Sequence, residues 1–122
     1  MTRAVRGAIR VAEDSAGAIH EAAVRLTAGL LARNGIPAGR IVSVLFSLTR
    51  DLSSLNPASA ARTLGLGEVP FFCLQEADIV GAMPRVLRVL LTYEGEAGRA
   101  PVPVYLDGAE ALRPDLFPSG AA

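Results

Sequence analysis

The chain has 122 residues, 51% of them hydrophobic and 20% charged, and its 12 basic side chains balance its 12 acidic ones. This composition is typical of one folded domain and gives no general attraction to nucleic acid or to an anionic membrane. All 12 basic residues are arginine, which excludes every mechanism that needs a lysine Schiff base, including pyridoxal phosphate chemistry. No apolar stretch reaches the roughly 18 to 20 residues that a membrane span needs.

The chain also has few of the residues that commonly bind metals. His20 is its one histidine and Cys73 its one cysteine, whereas a zinc site usually takes several such ligands. One cysteine cannot form a disulfide within the chain, which is typical of a protein of the reducing cytoplasm. We therefore expect a cytoplasmic protein whose chemistry depends on arginine, carboxylate and shape, with no metal.

The first half of the chain predicts two strands with a long helix between them. Residues 3–12 alternate loosely between apolar and polar and predict a strand, in which Gly7 indicates a bulge or a close backbone approach. A helix is predicted over residues 16–34, because acidic and hydroxyl side chains precede it and an Asn-Gly pair closes it. The β-branched, apolar run 41–48 predicts a central strand.

The second half predicts a short helix and three further strands. A capping residue and a proline precede the short helix, which is expected over residues 58–64. Residues 69–74 are nearly all apolar and predict a strand that is buried on both faces. Residues 86–92 predict a second buried strand, which one charge interrupts, and residues 102–106 predict a short last strand.

Together these elements predict an α+β fold with about five strands in a mixed sheet, packed on one long helix and a short one. The domain is expected to span residues 1–116, followed by a flexible tail over residues 117–122. Because one long helix covers a single face of such a sheet, the other face is left bare. We therefore expect the chain to form oligomers through that face.

The chemistry of the sequence is concentrated in Glu76 and Arg88. Arg88 interrupts a strand that is otherwise apolar, and a buried arginine is costly unless it meets an acidic partner or an anionic ligand. Glu76 follows the apolar strand at 69–74, so the two side chains are expected to face each other across neighbouring strands. The residues alone are also consistent with a plain buried ion pair.

Six segments, in this order and at this spacing, resemble the monofunctional chorismate mutases of the AroH class. They are Arg-Gly-Ala at 6–8, Asn-Pro-Ala at 56–58 in place of a Phe-Pro-Ala type of segment, Val-Pro-x-x-Cys-x-Gln-Glu at 69–76, Arg88, Val-Tyr-Leu at 104–106 and Leu-Arg-Pro-Asp-Leu at 112–116. The resemblance runs from about residue 3 to residue 116. Each segment alone is a weak signal, but six in register are specific.

The resemblance implies a homotrimer with a pseudo-α/β-barrel core and active sites at the subunit interfaces. It also implies a reaction, the Claisen rearrangement of chorismate to prephenate in the shikimate route to phenylalanine and tyrosine, without cofactor or metal. A pericyclic rearrangement needs no nucleophile and no proton transfer. It needs a folded substrate and charges complementary to the transition state, which a chain without lysine can supply.

The resemblance further implies roles for particular residues. Arg88 would bond the ether oxygen and the side-chain carboxylate of the substrate, as the main electrostatic catalyst. Glu76 would accept a hydrogen bond from the ring hydroxyl, and Cys73 would assist at the same hydroxyl. The other expected binding residues are Arg6 and Tyr105 for the carboxylates, Phe72, Leu74 and Gln75 through backbone and shape, and Arg62 and Arg113 as outer positive charge.

Three positions depart from the family pattern, and two other functions use similar chemistry. Asn56, Ser59 and Phe72 differ from the usual residues and are expected to change the rim of the pocket. A non-catalytic sensor of a carboxylate metabolite would use the same arginines, but it gains little from Glu76. A trimeric imine deaminase has a similar size, but the motifs do not fit it. Binding of chorismate without turnover would favour the sensor, and activity on imino acids would favour the deaminase.

Overall fold

The computed structural model describes residues 1–118, which form one mixed sheet of five strands with two α-helices. In chain order the elements are β1 (Thr2–Arg10), α1 (Ala16–Asn34), β2 (Ile41–Leu48), α2 (Ala60–Thr63), β3 (Phe71–Gln75), β4 (Val86–Glu94) and β5 (Val104–Leu106). The strand order is β3-β2-β4-β1-β5. Strand β4 is antiparallel to both of its neighbours, whereas β3 is parallel to β2 and β5 is parallel to β1. The expected α+β class and mixed sheet are confirmed.

Helix α1 has the bounds that the sequence predicts, because local capping sets both of its ends. At the start, the side-chain oxygen of Ser15 accepts a hydrogen bond from the backbone N–H of Ala18 at 3.2 Å. At the end, Gly35 adopts a left-handed conformation with φ of 60°, and its N–H bonds back to the carbonyl of Ala32. Among the described residues, no helix is long and apolar enough to cross a membrane.

The main core lies between helix α1 and one face of the sheet. Side chains alternate between the two faces of a strand, so every second strand residue points to the helix. The fully buried members from the helix are Ile19, Ala23, Leu26 and Leu30, and those from the three central strands include Ile9, Val44, Phe46, Leu87 and Leu91. Burying aliphatic side chains such as these contributes about 1.5 to 3 kcal/mol each.

Within residues 1–118, neither α-helix covers the opposite face of the sheet, here called the open face. Only a 3₁₀ helix, Ala109–Leu112, packs on one end of it, against Ala8 and Val86. Phe72 and Leu74 of β3 are 62% and 47% exposed, and Leu90 of β4 is 41% exposed. The expectation that the strand at 69–74 is buried on both faces was therefore wrong. Its physical reason is that β3 is an edge strand with a helix on one side only, and the paired residues begin at Phe71.

Two short elements also differ from the sequence prediction. The expected helix at 58–64 is split into a 3₁₀ turn, Pro57–Ser59, and the single turn α2. Strand β5 starts two residues later than expected, because Val102 bonds to the end of the helix instead of the sheet. The side chain of Asn34 accepts from the N–H of Val102 at 2.7 Å and donates to its carbonyl at 3.0 Å.

The close backbone approach expected at Gly7 is confirmed. A Cβ atom at this position would lie 2.7 Å from the carbonyl oxygen of Val104 and 3.1 Å from a methyl group of Leu26. The absence of a side chain therefore lets β1, β5 and helix α1 come together at one point. This packing places β5, and with it Tyr105, next to β1.

Replacing Gly7 with alanine is expected to lower the free energy of unfolding by about 2 kcal/mol, because the added methyl group overpacks a region that contains backbone. Gly17→Ala is the matched control, since Gly17 lies in helix α1 with nothing within 4 Å of an added Cβ. That change should stabilise the protein by about 0.5 to 1 kcal/mol. Urea denaturation measures both values. Equal effects at the two glycines would contradict the packing described here.

Candidate active site

A straight row of residues crosses the open face of the sheet. The strand registers pair Tyr105 of β5 with Ala8, Ala8 with Arg88, Arg88 with Ser47, and Ser47 with Leu74 of β3. Paired residues point to the same side of a sheet. The two neighbours of Arg88 in this row, Ala8 and Ser47, are small. Arg88 therefore has short side chains on both sides of it in this row, on the side of the sheet that neither α-helix of residues 1–118 covers.

Glu76 reaches this row from the end of strand β3. Its backbone N–H donates to the carbonyl of Leu48 at 2.9 Å, which continues the pairing with β2. Its carboxylate oxygen Oε1 lies 2.6 Å from Nε of Arg88. The two residues do form the expected ion pair, but they pair across β2 and not between neighbouring strands.

The sequence pattern suggested an ion pair buried in the core, but the pair lies at the surface of the open face. The side chain of Arg88 is 41% exposed and that of Glu76 is 17% exposed. The position of Arg88 explains why an apolar strand contains one charge. Arg88 points to the open face, whereas its neighbours Leu87 and Val89 point to the helix. An accessible arginine of this kind can meet an anionic ligand without prior unfolding.

A cavity of about 350 Å³ lies beside Arg88 on the open face. Its lining combines three arginines, one tyrosine, one serine and apolar side chains, among them Arg6, Arg88, Arg113, Tyr105, Ser47, Leu45, Leu74 and Leu90. Guanidinium groups bind carboxylates in a two-point geometry. The arrangement therefore suits a small ligand with more than one carboxylate and an apolar body.

Arg113 enters the cavity from the segment after strand β5. It donates two hydrogen bonds to Asp115, at 3.0 and 2.8 Å. These bonds lower the pKa of the Asp115 carboxyl group and raise the pKa of the Arg113 guanidinium group. Phe117 packs on the ring of Tyr105, with 5.4 Å between the ring centres. The expected flexible tail began at residue 117, but this residue has a defined contact, and residues 119–122 lie outside the described part of the chain.

Cys73 lies on the other face of the sheet. It pairs with Phe46, and its side chain packs against the core under helix α1. The reason is the alternation of strand β3, which sends residues 72, 74 and 76 to the open face and residues 71 and 73 to the helix. The structure thus brings Glu76 and Leu74 to Arg88, but it does not bring the thiol of Cys73 there.

The remaining expected site residues lie outside the cavity of their own chain. Phe72 points to the open face but is not among the cavity residues, and Gln75 is exposed at the end of β3. Arg62 is exposed on the short helix α2. Glu76 lines a neighbouring cavity with the loop that follows it, so it stands between two cavities. Within residues 1–118, no three His, Cys, Asp or Glu side chains group as metal ligands would.

Sequence reasoning missed Ser47, whose hydroxyl group donates to Oε1 of Glu76 at 2.7 Å. The signal that could have found it is the alternation of the strand at 41–48. This alternation places Ser43, Leu45 and Ser47 on the face opposite to Val44 and Phe46. Only the pairing of β2 between β3 and β4, which is a long-range feature, puts Ser47 between Glu76 and Arg88.

Comparison with known proteins agrees with this geometry. A family model described as chorismate mutase type I matches residues 2–116. The chain belongs to this family. A chorismate mutase AroH of Thermus thermophilus is 42% identical over 118 residues, which cover 95% of this chain and 97% of the relative. One of Bacillus subtilis (strain 168) is 34% identical over 118 residues, which cover 95% and 93%.

The fold has also been seen in this family. A solved chorismate mutase from Clostridium thermocellum superposes with a TM-score of 0.86 at 30% identity, covering 89% of this chain and 98% of that one. The five-stranded sheet with its two helices is thus a chorismate mutase fold.

Two of the departures from the chorismate mutase pattern have structural uses. The side-chain oxygen of Asn56 accepts from the N–H of Ala58 at 2.9 Å and caps the turn at Pro57–Ser59. The hydroxyl group of Ser59 lies 2.8 Å from Nδ1 of His20, which ties the turn to helix α1. Both side chains therefore make contacts within their own chain.

The Cys73 thiol is expected to react with iodoacetamide more slowly in the folded protein than in the chain unfolded by urea. Burial raises its pKa above the ordinary value of 9.0, and the thiolate is the reactive form. Folding favours the neutral thiol, so its contribution to stability is present below the unfolded pKa and is lost as pH rises through the folded pKa. Alkylation rates measured as pH is raised test this. Equal rates in the two states would contradict the placement of Cys73.

Proposed function

We propose that this chain catalyses the Claisen rearrangement of chorismate to prephenate, an isomerase reaction that leads to phenylalanine and tyrosine. The observation that supports it is the position of Arg88, which is paired with Glu76 on the open face beside a cavity lined by two further arginines and Tyr105. The family and the two named relatives support the same activity. The single cysteine supports a cytoplasmic location.

The proposed mechanism depends on shape and charge alone. Chorismate carries two carboxylates, an ether bridge and a ring hydroxyl, and it must fold into a chair-like form before its ends can join. Binding both carboxylates to fixed donors favours that form over the extended one. As the ether C–O bond breaks, negative charge builds up on the ether oxygen and positive charge on the ring. A fixed guanidinium near the oxygen and a fixed carboxylate near the ring stabilise that distribution.

The residues divide between these two tasks. Arg88 donates to the ether oxygen and to the neighbouring carboxylate, because it lies at the centre of the row and its guanidinium is accessible. Glu76 accepts from the ring hydroxyl and faces the positive ring. Arg6 and Tyr105 bind the carboxylates from the β1 and β5 side of the cavity, with Arg113 behind them and Leu74 and Leu90 as the apolar wall.

The proposal assigns a smaller role to Cys73 than the sequence suggested. Its thiol packs on the helix side of β3, so it acts through its backbone and by shaping the strand that carries Leu74 and Glu76. Replacing Cys73 with alanine is therefore expected to leave kcat within about tenfold of the wild-type value. Steady-state kinetics on chorismate measure this, with Glu76→Ala as the contrasting variant. A loss as large as that of Glu76→Ala would mean that the thiol itself contacts the substrate.

We also propose that the active enzyme is a homotrimer with a pseudo-α/β-barrel core. The support is the open face, where Phe72, Leu74 and Leu90 leave large apolar surfaces in water. Arg62, Phe72 and Gln75 would then bind substrate in the cavity of a neighbouring subunit, which explains why none of them lines the cavity of its own. Light scattering should give three times the chain mass of 12.7 kDa. A monomeric, fully active protein would contradict the trimer.

The experiment that tests the function is a chorismate assay with product identification. The purified protein is incubated with chorismate, and both the loss of substrate and the formation of prephenate are followed. Rapid formation of prephenate is expected. Tight binding without turnover would favour the sensor, which the retained carboxylate of Glu76 disfavours, and hydrolysis of imino acids would favour the deaminase.

A further inference from the structure

Ser47 lies where it can control the orientation of the Glu76 carboxylate. Within the described residues, the hydrogen bond to this carboxylate comes from the hydroxyl group of Ser47, at 2.7 Å. The contact with Arg88, at 2.6 Å, ends on the same oxygen atom, Oε1. A hydroxyl donor and a guanidinium group thus converge on one oxygen of Glu76.

This geometry has a consequence for Oε2, the second carboxylate oxygen of Glu76. Among residues 1–118 no side-chain hydrogen bond ends on Oε2, and the shortest contact of Arg88 is with Oε1. A carboxylate and a guanidinium group left to themselves tend to pair through two parallel bonds. Here the hydroxyl group of Ser47 donates to Oε1 from the side of β2, and the closest contact of Arg88, through Nε, is with the same oxygen. Within residues 1–118 the two terminal nitrogens of Arg88 donate no hydrogen bond, whereas Nε makes the shortest contact of the ion pair.

We propose that Ser47 is a positioning residue, which holds Glu76 so that Oε2 accepts the ring hydroxyl of the substrate while the terminal nitrogens of Arg88 stay available. The proposal rests on the proposed function, since it concerns the same reaction. Ser47 also lines the cavity, but its hydroxyl group donates to Glu76, and its proposed action is through that carboxylate. Without its hydroxyl group, the Glu76 carboxylate turns toward Arg88 and pairs with it through both oxygens. That closed pair competes with the substrate for the same atoms.

The expected kinetic result follows from this competition. Ser47→Ala should lower kcat/KM about tenfold, the loss expected for one hydrogen bond to a charged group. Part of the loss should appear as a raised KM, because the closed ion pair must open before substrate binds. A purely structural defect would instead lower the active fraction, which reduces the apparent kcat and leaves KM unchanged.

The chain offers a matched control and a conservative rescue. Ser43 lies on the same strand and the same face, where it pairs with Thr92 and not with Arg88, so Ser43→Ala should keep wild-type kinetics. Ser47→Thr keeps the hydroxyl group and should restore most of the activity. If the alanine variant is unstable, Ser47→Cys replaces the hydroxyl group by a weaker donor of similar size.

A double-mutant cycle with Glu76 decides the proposal. If Ser47 acts through Glu76, then Ser47→Ala should have no further effect on kcat/KM in a Glu76→Ala background. An equal loss in both backgrounds, or unchanged kinetics of Ser47→Ala in the wild-type background, would overturn the role of Ser47 while leaving the function intact. A wild-type protein that does not convert chorismate would overturn the proposed function and this inference together.

Discussion

Replacing Arg88 with alanine is expected to lower kcat at least roughly 10²-fold, the loss typical of removing one fixed donor to a developing oxyanion. Arg88 is the one arginine of the site that is both central in the row across the sheet and paired with a carboxylate. Negative charge develops on the ether oxygen only as the bond breaks. The loss should therefore fall mainly on kcat and less on KM.

The fold should survive this change. The Arg88 side chain is 41% exposed, and Leu87, Val89 and Leu91, which belong to the core under helix α1, point to the opposite face. Arg88→Lys should recover little of the activity, because an ammonium group cannot contact Glu76, the ether oxygen and a carboxylate in one plane. Circular dichroism and the urea midpoint measure folding in parallel with the kinetics.

Arg25→Ala is the matched control for this prediction. Arg25 is an exposed arginine on helix α1 whose ion pair with Asp107, at 2.7 Å, lies on the surface. Removing it deletes a positive charge and an ion pair without touching the open face. Activity close to wild type is expected. If Arg25→Ala and Arg88→Ala lost activity equally, catalysis would follow overall charge and not the placement of Arg88.

The second large effect is expected at Glu76. Glu76→Ala should lower kcat/KM about 10²-fold, because it removes the negative charge that faces the positive ring in the transition state. Glu76→Gln separates charge from shape. Its amide oxygen can still accept from Ser47, so the side chain keeps its place while the charge is gone. The glutamine variant should therefore lose nearly as much activity as the alanine variant.

The two Glu76 variants also discriminate between the proposed roles. A glutamine variant with nearly full activity would mean that Glu76 acts as a neutral acceptor or as a spacer. Activity retained in the alanine variant would mean that the pair with Arg88 is only structural, as the sequence alone also allowed. Kinetics on chorismate, with the urea midpoint as a folding control, measure these outcomes.

The sequence predicted best those features that depend on local interactions. Helix α1 begins and ends at the residues that the sequence predicts, because Ser15 and Gly35 cap its two ends through contacts within one turn. Strand β2 has the predicted bounds, because the strand coincides with the β-branched, apolar run at 41–48. The pair of Glu76 and Arg88 was also predicted, since a charge in an apolar strand requires a partner.

Features that depend on the order of the strands in the sheet could not be predicted from the sequence. The exposure of Phe72 and Leu74 follows from the position of β3 at the sheet edge, which no local pattern reveals. The same long-range pairing places Ser47 next to Arg88 and turns Cys73 to the helix. The resemblance to the family implied that Cys73 assists at the ring hydroxyl of the substrate, whereas the thiol packs on the helix side of the sheet.

We propose that this chain rearranges chorismate at the site around Arg88, without proton transfer. The most direct measurement is a proton NMR time course of chorismate with the wild-type protein beside an equal amount of Arg88→Ala. The wild type is expected to convert chorismate completely to prephenate, while the folded variant forms prephenate at least roughly 10²-fold more slowly. Chorismate that persists with the wild type would contradict the proposed reaction, and prephenate that forms equally fast with both proteins would contradict the role of Arg88.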